Sequence, residues 1–449
     1  TQIPATPTTV ASANPEAFSE CPLPANEGTA GKLRLVYVTN GNLWLLDEGR
    51  EPVLMMDSGD VEQVMLSPDG SKIVLARQRD ADTVEIWVVD SSGWRNLSGD
   101  QNIPGSVEFI SFSDDAQFVA FENGELWAAD VMNARVFRLV SQEVLRAQAE
   151  VPSDFPVSPD FVTWIPGTHQ LTFTPIHGYP PDLGGDAIPF PDPVLIVDAG
   201  TGEQSLLFPK TEGGYITFSP DGKTMVIANA NQLRLSRVEE PGRPRTIINY
   251  TTICELDCFI AQPAWMPDSS SFLLELPSEG MNPDNFLNGF EEPFTIWSVS
   301  KDGSIITKLG EFFRLPGTFS ISPDRKRVAY FRREITRNLH IANADGSEDI
   351  PYASNQDWAF HGWAPDSQHF AYQAYQDTLV MYGDICGEPN PLTNMVAIEF
   401  IGWLDGTRFL MLAGRSGAWE LYLGVAGGKN TKLVEFGSSI IYDHIVMPE

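Results

Sequence analysis

Phe218-Ser219-Pro220-Asp221-Gly222 recurs along the chain in seven worn copies, and this repetition constrains the fold more than any other feature. The copies are Leu66-Ser67-Pro68-Asp69-Gly70, Phe112-Ser113-Asp114-Asp115-Ala116, Trp164-Ile165-Pro166-Gly167-Thr168, Trp265-Met266-Pro267-Asp268-Ser269, Ile321-Ser322-Pro323-Asp324-Arg325, Trp363-Ala364-Pro365-Asp366-Ser367 and Trp403-Leu404-Asp405-Gly406. Ser first, Pro fixing φ second, Asp third and Gly fourth suit a type I turn. Apolar runs flank each copy, so each reads as the tip of a β-hairpin. A length of 449 residues ordinarily suggests two or three domains, but a repeat array grows as one body.

Between the turns the strands come in fours. Val61 to Leu66, Lys72 to Ala76, Val84 to Val89 and an edge near Trp94 to Leu97 make one unit. The third strand has its own signature, seen in Glu85-Ile86-Trp87-Val88-Val89-Asp90 and Glu125-Leu126-Trp127-Ala128-Ala129-Asp130. Turn spacing of about 39 to 56 residues is that of propeller blades. Eight complete units follow from the turns. A first unit of three strands (Leu33 to Val38, Asn42 to Leu46, Pro52 to Met56) lacks its innermost, and Ile440 to Val446 is a strand without partners in sequence. Joining the two removes both exposed edges. The expectation is an all-β, single closed β-propeller of eight or nine four-stranded blades, the count favouring nine, with the first blade closed by the C-terminal strand. Residues 32–449 form it, and residues 1–31 are a Pro/Thr-rich tail, too polar to bury a core.

The apolar-Ser-Pro-Asp-Gly turn followed by a strand and Leu-Trp-Val-x-Asp resembles the TolB-type, WD-like propeller repeat over nearly all of residues 33–447. That resemblance implies the propeller fold. It does not imply one activity, because the repeat occurs in translocation proteins, in the propellers of prolyl oligopeptidase-type enzymes and in many surface proteins. TolB-like propellers usually have six blades.

The charge excludes some partners. With 60 acidic and 29 basic residues the chain carries −31, which repels phosphate backbones and anionic membranes, so nucleic acid is not an expected partner. No apolar run approaches the ~20 residues of a membrane span, and the tail is compatible with the spacer behind a lipid anchor. Cys21, Cys254, Cys258 and Cys386 suit two disulfides in an oxidising compartment, Cys254 with Cys258 and Cys21 with Cys386, although free thiols in a cytosolic protein would give the same count. The six histidines, at 169, 177, 340, 361, 369 and 444, form no close metal-ligand pair, and Asp-rich turns such as Asn343 to Asp349 lack the EF-hand spacing for Ca²⁺. No metal or cofactor is expected. No Gly-x-Ser-x-Gly elbow or hydrolase domain accompanies the repeats, and no catalytic residue is assigned.

Four long segments interrupt the repeat: Ser141 to Asp160, His177 to Pro193, Thr251 to Gln262 and Pro277 to Pro293. By strand alternation all four fall on the face opposite the Ser-Pro-Asp-Gly turns. Short loops are the rule in propellers, so this enlargement marks a binding face. It carries Phe155, Tyr179, Phe190, Met281, Phe286, Leu287 and Phe290, read as exposed binding residues; packing on one another as a lid is the blander role. The expected function is a non-enzymatic, extracytoplasmic propeller at the cell surface or beyond it, acting as a protein-binding or self-assembling subunit in which the tail takes part. The competing class is a propeller enzyme, lyase- or hydrolase-like, acting on an extracellular polymer.

Overall fold

The repeated turns close through one hydrogen-bond pattern, which sets the blades. In four of them a fully buried serine hydroxyl, on Ser67, Ser113, Ser219 or Ser322, donates to the aspartate two residues on at 2.6–2.8 Å. The same oxygen accepts the amide five residues on at 2.9–3.0 Å. One side chain thus ties the end of one strand to the start of the next, and the aspartate caps its own turn. Gly70 (φ 64°) and Gly222 (φ 67°) take the left-handed conformation at the fourth position. Where glycine is replaced, Ala116, Ser269, Arg325 and Ser367 hold the same positive φ, which is costly for a residue with a Cβ.

This computed structural model describes residues 31–150, 157–177, 193–210, 212–253, 259–315, 319–333, 337–353, 359–373, 380–387, 390–392, 398–415, 418–436 and 439–447. They form an all-β propeller of nine four-stranded antiparallel sheets. In the first, Lys32–Thr39 pairs on one side with Asn42–Asp47, which pairs with Val53–Met56, and on the other with Ile441–Met447. Register from Lys32↔Met447 to Val38↔Ile441 fixes that last pairing. The remaining blades span 61–96, 108–140, 157–208, 215–249, 264–314, 319–353, 360–391 and 398–436. The sequence pattern missed a short strand, Ile103–Pro104, that adds to the third strand of the second blade.

Contacts gather the chain into two units, and the division runs through the sixth blade. One unit comprises Gly31–Phe272, Val299–Ile305 and Ser439–Glu449; the other comprises Leu273–Ser298 and Ile306–Ser438. In the first unit, Val74, Ile86 and Val88 of the second blade pack with Val119, Phe121 and Ala129 of the third. In the other, Ala329, Phe331, Leu339 and Ile341 of the seventh blade pack with Phe360, Trp363, Phe370 and Tyr372 of the eighth. Middle strands such as Thr224–Ala228 are buried on both faces, so they read as continuous apolar runs. Outer strands such as Ile306–Arg314 alternate between buried and exposed. Burial of each large side chain contributes about 1.5–3 kcal/mol.

Neighbouring blades are also fastened by hydrogen bonds. The indole of Trp164 donates to the Ser111 carbonyl (3.3 Å), that of Trp363 to Ser320 (3.4 Å) and that of Trp403 to Gly362 (3.2 Å). At the turns, the Ser269 hydroxyl accepts the Asp221 amide (3.0 Å) and the Ser367 hydroxyl accepts the Asp324 amide (2.9 Å). These two serines stand where the repeat has glycine, and their side chains join two blades.

Candidate interaction surface

The long segment from Ser141 is not irregular throughout. Gln142–Ala149 is a helix, α1, with Ser141 as N-cap, and Val157–Trp164 is already the first strand of the fourth blade. Lys210 donates to the carbonyl of Ala149 (3.1 Å) and pairs with Glu150 (2.8 Å), both at the end of α1. The residues Phe155, Tyr179, Phe190, Cys21, Cys254 and Cys258 lie outside the described residues, as does the tail. Cys386, in the turn after Val380–Asp384, is disulfide-bonded, and neither expected pairing is seen among the described residues.

The segment between Ser271–Pro277 and Glu292–Ser300, the second and third strands of the sixth blade, is fully described. It begins with a hydroxyl pair, Ser278 and Thr295, at 2.6 Å. The Asn282 side chain then caps a short helix, α2 (Pro283–Leu287), accepting the amides of Asp284 (3.0 Å) and Asn285 (3.4 Å). Pro283 suits the first turn of a helix, where its missing N–H costs nothing. Glu292 accepts the Asn282 amide at 2.8 Å and ties the loop to the third strand.

Met281 and Phe286, read from sequence as exposed, are buried: 6% and 7% exposure. Phe286 packs on Phe294, ring centroids 4.9 Å apart. The Arg314 guanidinium lies 4.1 Å from the Phe294 ring and 5.0 Å from that of Phe286, within cation–π range of both. It makes a bidentate pair with Glu275 at 2.5 and 2.8 Å and donates to the Leu315 carbonyl at 3.0 Å. Burial pushes the Glu275 carboxyl upward, and the adjacent Arg314 opposes that push. The helix therefore sits on a rigid, fully engaged underside. The loop's other apolar residues face solvent, Leu287 at 36% and Phe290 at 57% exposure. Periodicity cannot sort five helical residues into faces, but one signal for the underside was legible: Glu275 interrupts the apolar run Phe272-Leu273-Leu274-Glu275-Leu276.

Three histidines stand against aspartates. His169 contacts Asp115 at 2.9 Å, His340 contacts Asp349 at 2.8 Å and His369 contacts Asp366 at 2.6 Å. Burial pushes His361 and His444 down. Among the described residues no group of three or more His, Cys, Asp or Glu is placed to hold a metal ion. The carboxyl of Glu122 is pushed up by burial and by the charges of Glu108 and Asp160.

No protein family model matches the sequence, and no curated protein matches it. Solved structures do resemble it. A eukaryotic initiation factor aligns with a TM-score of 0.56 at 11% identity, covering 93% of this chain and 98% of that one. Dipeptidyl peptidase 4 of Porphyromonas gingivalis aligns at 0.47 and 10% identity over 90% of this chain and 58% of that one. TolB of Acinetobacter baumannii aligns at 0.27 and 15% identity over 72% and 65%. At these identities the likeness to the initiation factor shows a common fold and nothing finer.

Proposed function

We propose that this chain is a non-enzymatic, extracytoplasmic β-propeller that binds a protein partner through the α2 loop of its sixth blade. The observation carrying this reading is the contrast within one loop: Met281 and Phe286 are locked inward, while Leu287 and Phe290 are held outward on a preorganised base. A fixed base lowers the ordering cost of binding, and aromatic side chains such as Phe290 are enriched at interfaces. Cysteine usage supports the compartment: an even count of four suits an oxidising environment.

A photo-crosslinking amino acid in place of Phe290, in the protein expressed in its native host, tests the reading. The expected result is a discrete adduct with one protein that disappears when Leu287→Glu is added, with far-UV circular dichroism unchanged. No adduct, or an adduct indifferent to Leu287→Glu, refutes it.

A further inference from the structure

On the turn-bearing face, between the fifth and sixth blades, a cleft of about 750 Å³ opens within the first of the two units. Its position follows from the hairpins. Lys223 and Thr224 start the second strand of the fifth blade, just after the Asp221-Gly222 turn. Arg237 to Arg245 form the link between its third and fourth strands, and Ser300 to Asp302 lie in the equivalent link of the sixth. The Ser236 hydroxyl donates to the Glu240 carbonyl at 2.8 Å, and Pro241 and Pro244 flank Arg243, so this link is stiffened.

Five cations line the cleft, Lys223, Arg237, Arg243, Arg245 and Lys301, against three carboxylates, Glu239, Glu240 and Asp302. In a chain with twice as many acids as bases this is a local reversal of charge. Elsewhere basic residues are regularly matched, as in Arg34 with Asp47, Arg77 with Asp60, Arg95 with Asp90 and Arg408 with Asp405. Here Lys301 alone has a carboxylate partner, Asp221. Arg245 donates to the backbone carbonyl of Asp302 at 2.6 Å, while Lys223, Arg237 and Arg243 make no ion pair with any described residue. The Asp302 carboxylate is turned to its own hairpin, accepting Ser300 and Ser304 hydroxyls at 2.7 Å and the Ser304 amide at 3.0 Å.

We propose that this cleft binds a small polyanion carrying two or more phosphate or sulfate groups. Arginine forks present paired donors that match tetrahedral oxyanions, and three arginines and a lysine without carboxylate partners call for a multiply charged ligand. The volume lies within the range of small-molecule sites. The inference rests on the cleft alone and is independent of the α2 loop.

The test is calorimetric titration of the full chain with two probes, inorganic tripolyphosphate and sucrose octasulfate, in 0.1 M NaCl. At least one is expected to bind saturably at one site, its identity telling phosphate from sulfate chemistry. The double variant Arg237→Glu, Arg243→Glu should weaken that binding at least tenfold. Both side chains are exposed, so the variant is expected to fold, which circular dichroism checks. The control Arg50→Glu, Arg135→Glu makes the same charge change at exposed positions of other blades and should bind as the parent does. Absence of saturable binding to both probes overturns the proposal, as does an equal loss in the control.

Discussion

Replacing Arg314 by methionine asks how the α2 loop is supported. In the folded protein Arg314 is 3% exposed, and its partner Glu275 is 8% exposed. Removing the guanidinium strands a buried carboxylate, and breaking a buried pair from one side costs about 3–5 kcal/mol. The chain has one escape, which is to protonate Glu275. From the ordinary carboxyl value of 4.5, holding the neutral acid at pH 7 costs about 3.4 kcal/mol. Lost contacts to the rings of Phe286 and Phe294 add about 0.5–2 kcal/mol. Arg314→Met should therefore destabilise the protein by about 4 kcal/mol at pH 7 in urea denaturation. In the variant the carboxyl has a folded value above its unfolded one, so the stability it contributes is present at low pH and lost as pH rises. The deficit should thus narrow by roughly 2–3 kcal/mol between pH 7 and pH 5. Adding Glu275→Gln should remove that pH dependence. A loss below about 1 kcal/mol at pH 7, within the range of an exposed pair, or a deficit unchanged at pH 5, would refute the account of the loop's support.

Two further outcomes follow from the turns. Ser219→Ala or Ser322→Ala removes an acceptor from a buried strand amide and a donor to the turn aspartate, and each should cost about 1–3 kcal/mol in denaturant unfolding; no measurable cost would mean that the hydroxyl is incidental. The hydroxyls of Ser67 and Ser71 and the Ser71 amide hold Asp69 at about 2. For Asp115 burial works the other way, but His169, Ser113 and the Gln117 amide also hold it at about 2. Because these folded values lie below the unfolded one, the stability is present above about pH 4 and is lost as pH falls toward 2. Denaturation midpoints measured from pH 5 to pH 2 should fall across that window, and less so in Asp69→Asn; an unchanged slope would contradict the assignment.

The fold was legible because its repeated unit is held by local chemistry. The Ser, Asp and amide groups that close a turn lie within six residues, so a copy can be recognised wherever it stands. Blade number then follows from spacing, and the pairing of Lys32–Thr39 with Ile441–Met447 follows from the one strand short at each end. What sequence did not give was contact at a distance. Ser269 and Ser367 stand where the repeat has glycine, and their hydroxyls accept amides from the preceding blade. Helix α1 has a readable signal, Ser141 ahead of eight residues without glycine or proline. The orientation of Phe286 depends on Arg314, which arrives from the fourth strand of the blade. The basic cleft is not legible in sequence because its cations come from separate hairpins, and a net charge of −31 hides them.

The indole bonds of Trp164, Trp363 and Trp403 have a consequence for how such a chain changes over time. The eighth blade carries both halves of the joint: Trp363, whose indole donates to the Ser320 carbonyl of the seventh, and the Gly362 carbonyl, which accepts from Trp403 of the ninth. A duplicate of such a blade arrives with its own plug and its own socket, and deleting it leaves the Ser320 carbonyl available to Trp403. Stability in such arrays is a sum over neighbours, so gaining or losing a unit leaves the remaining joints as they were. The joint is a coupling that does not count, so nothing in it fixes the number of blades at nine.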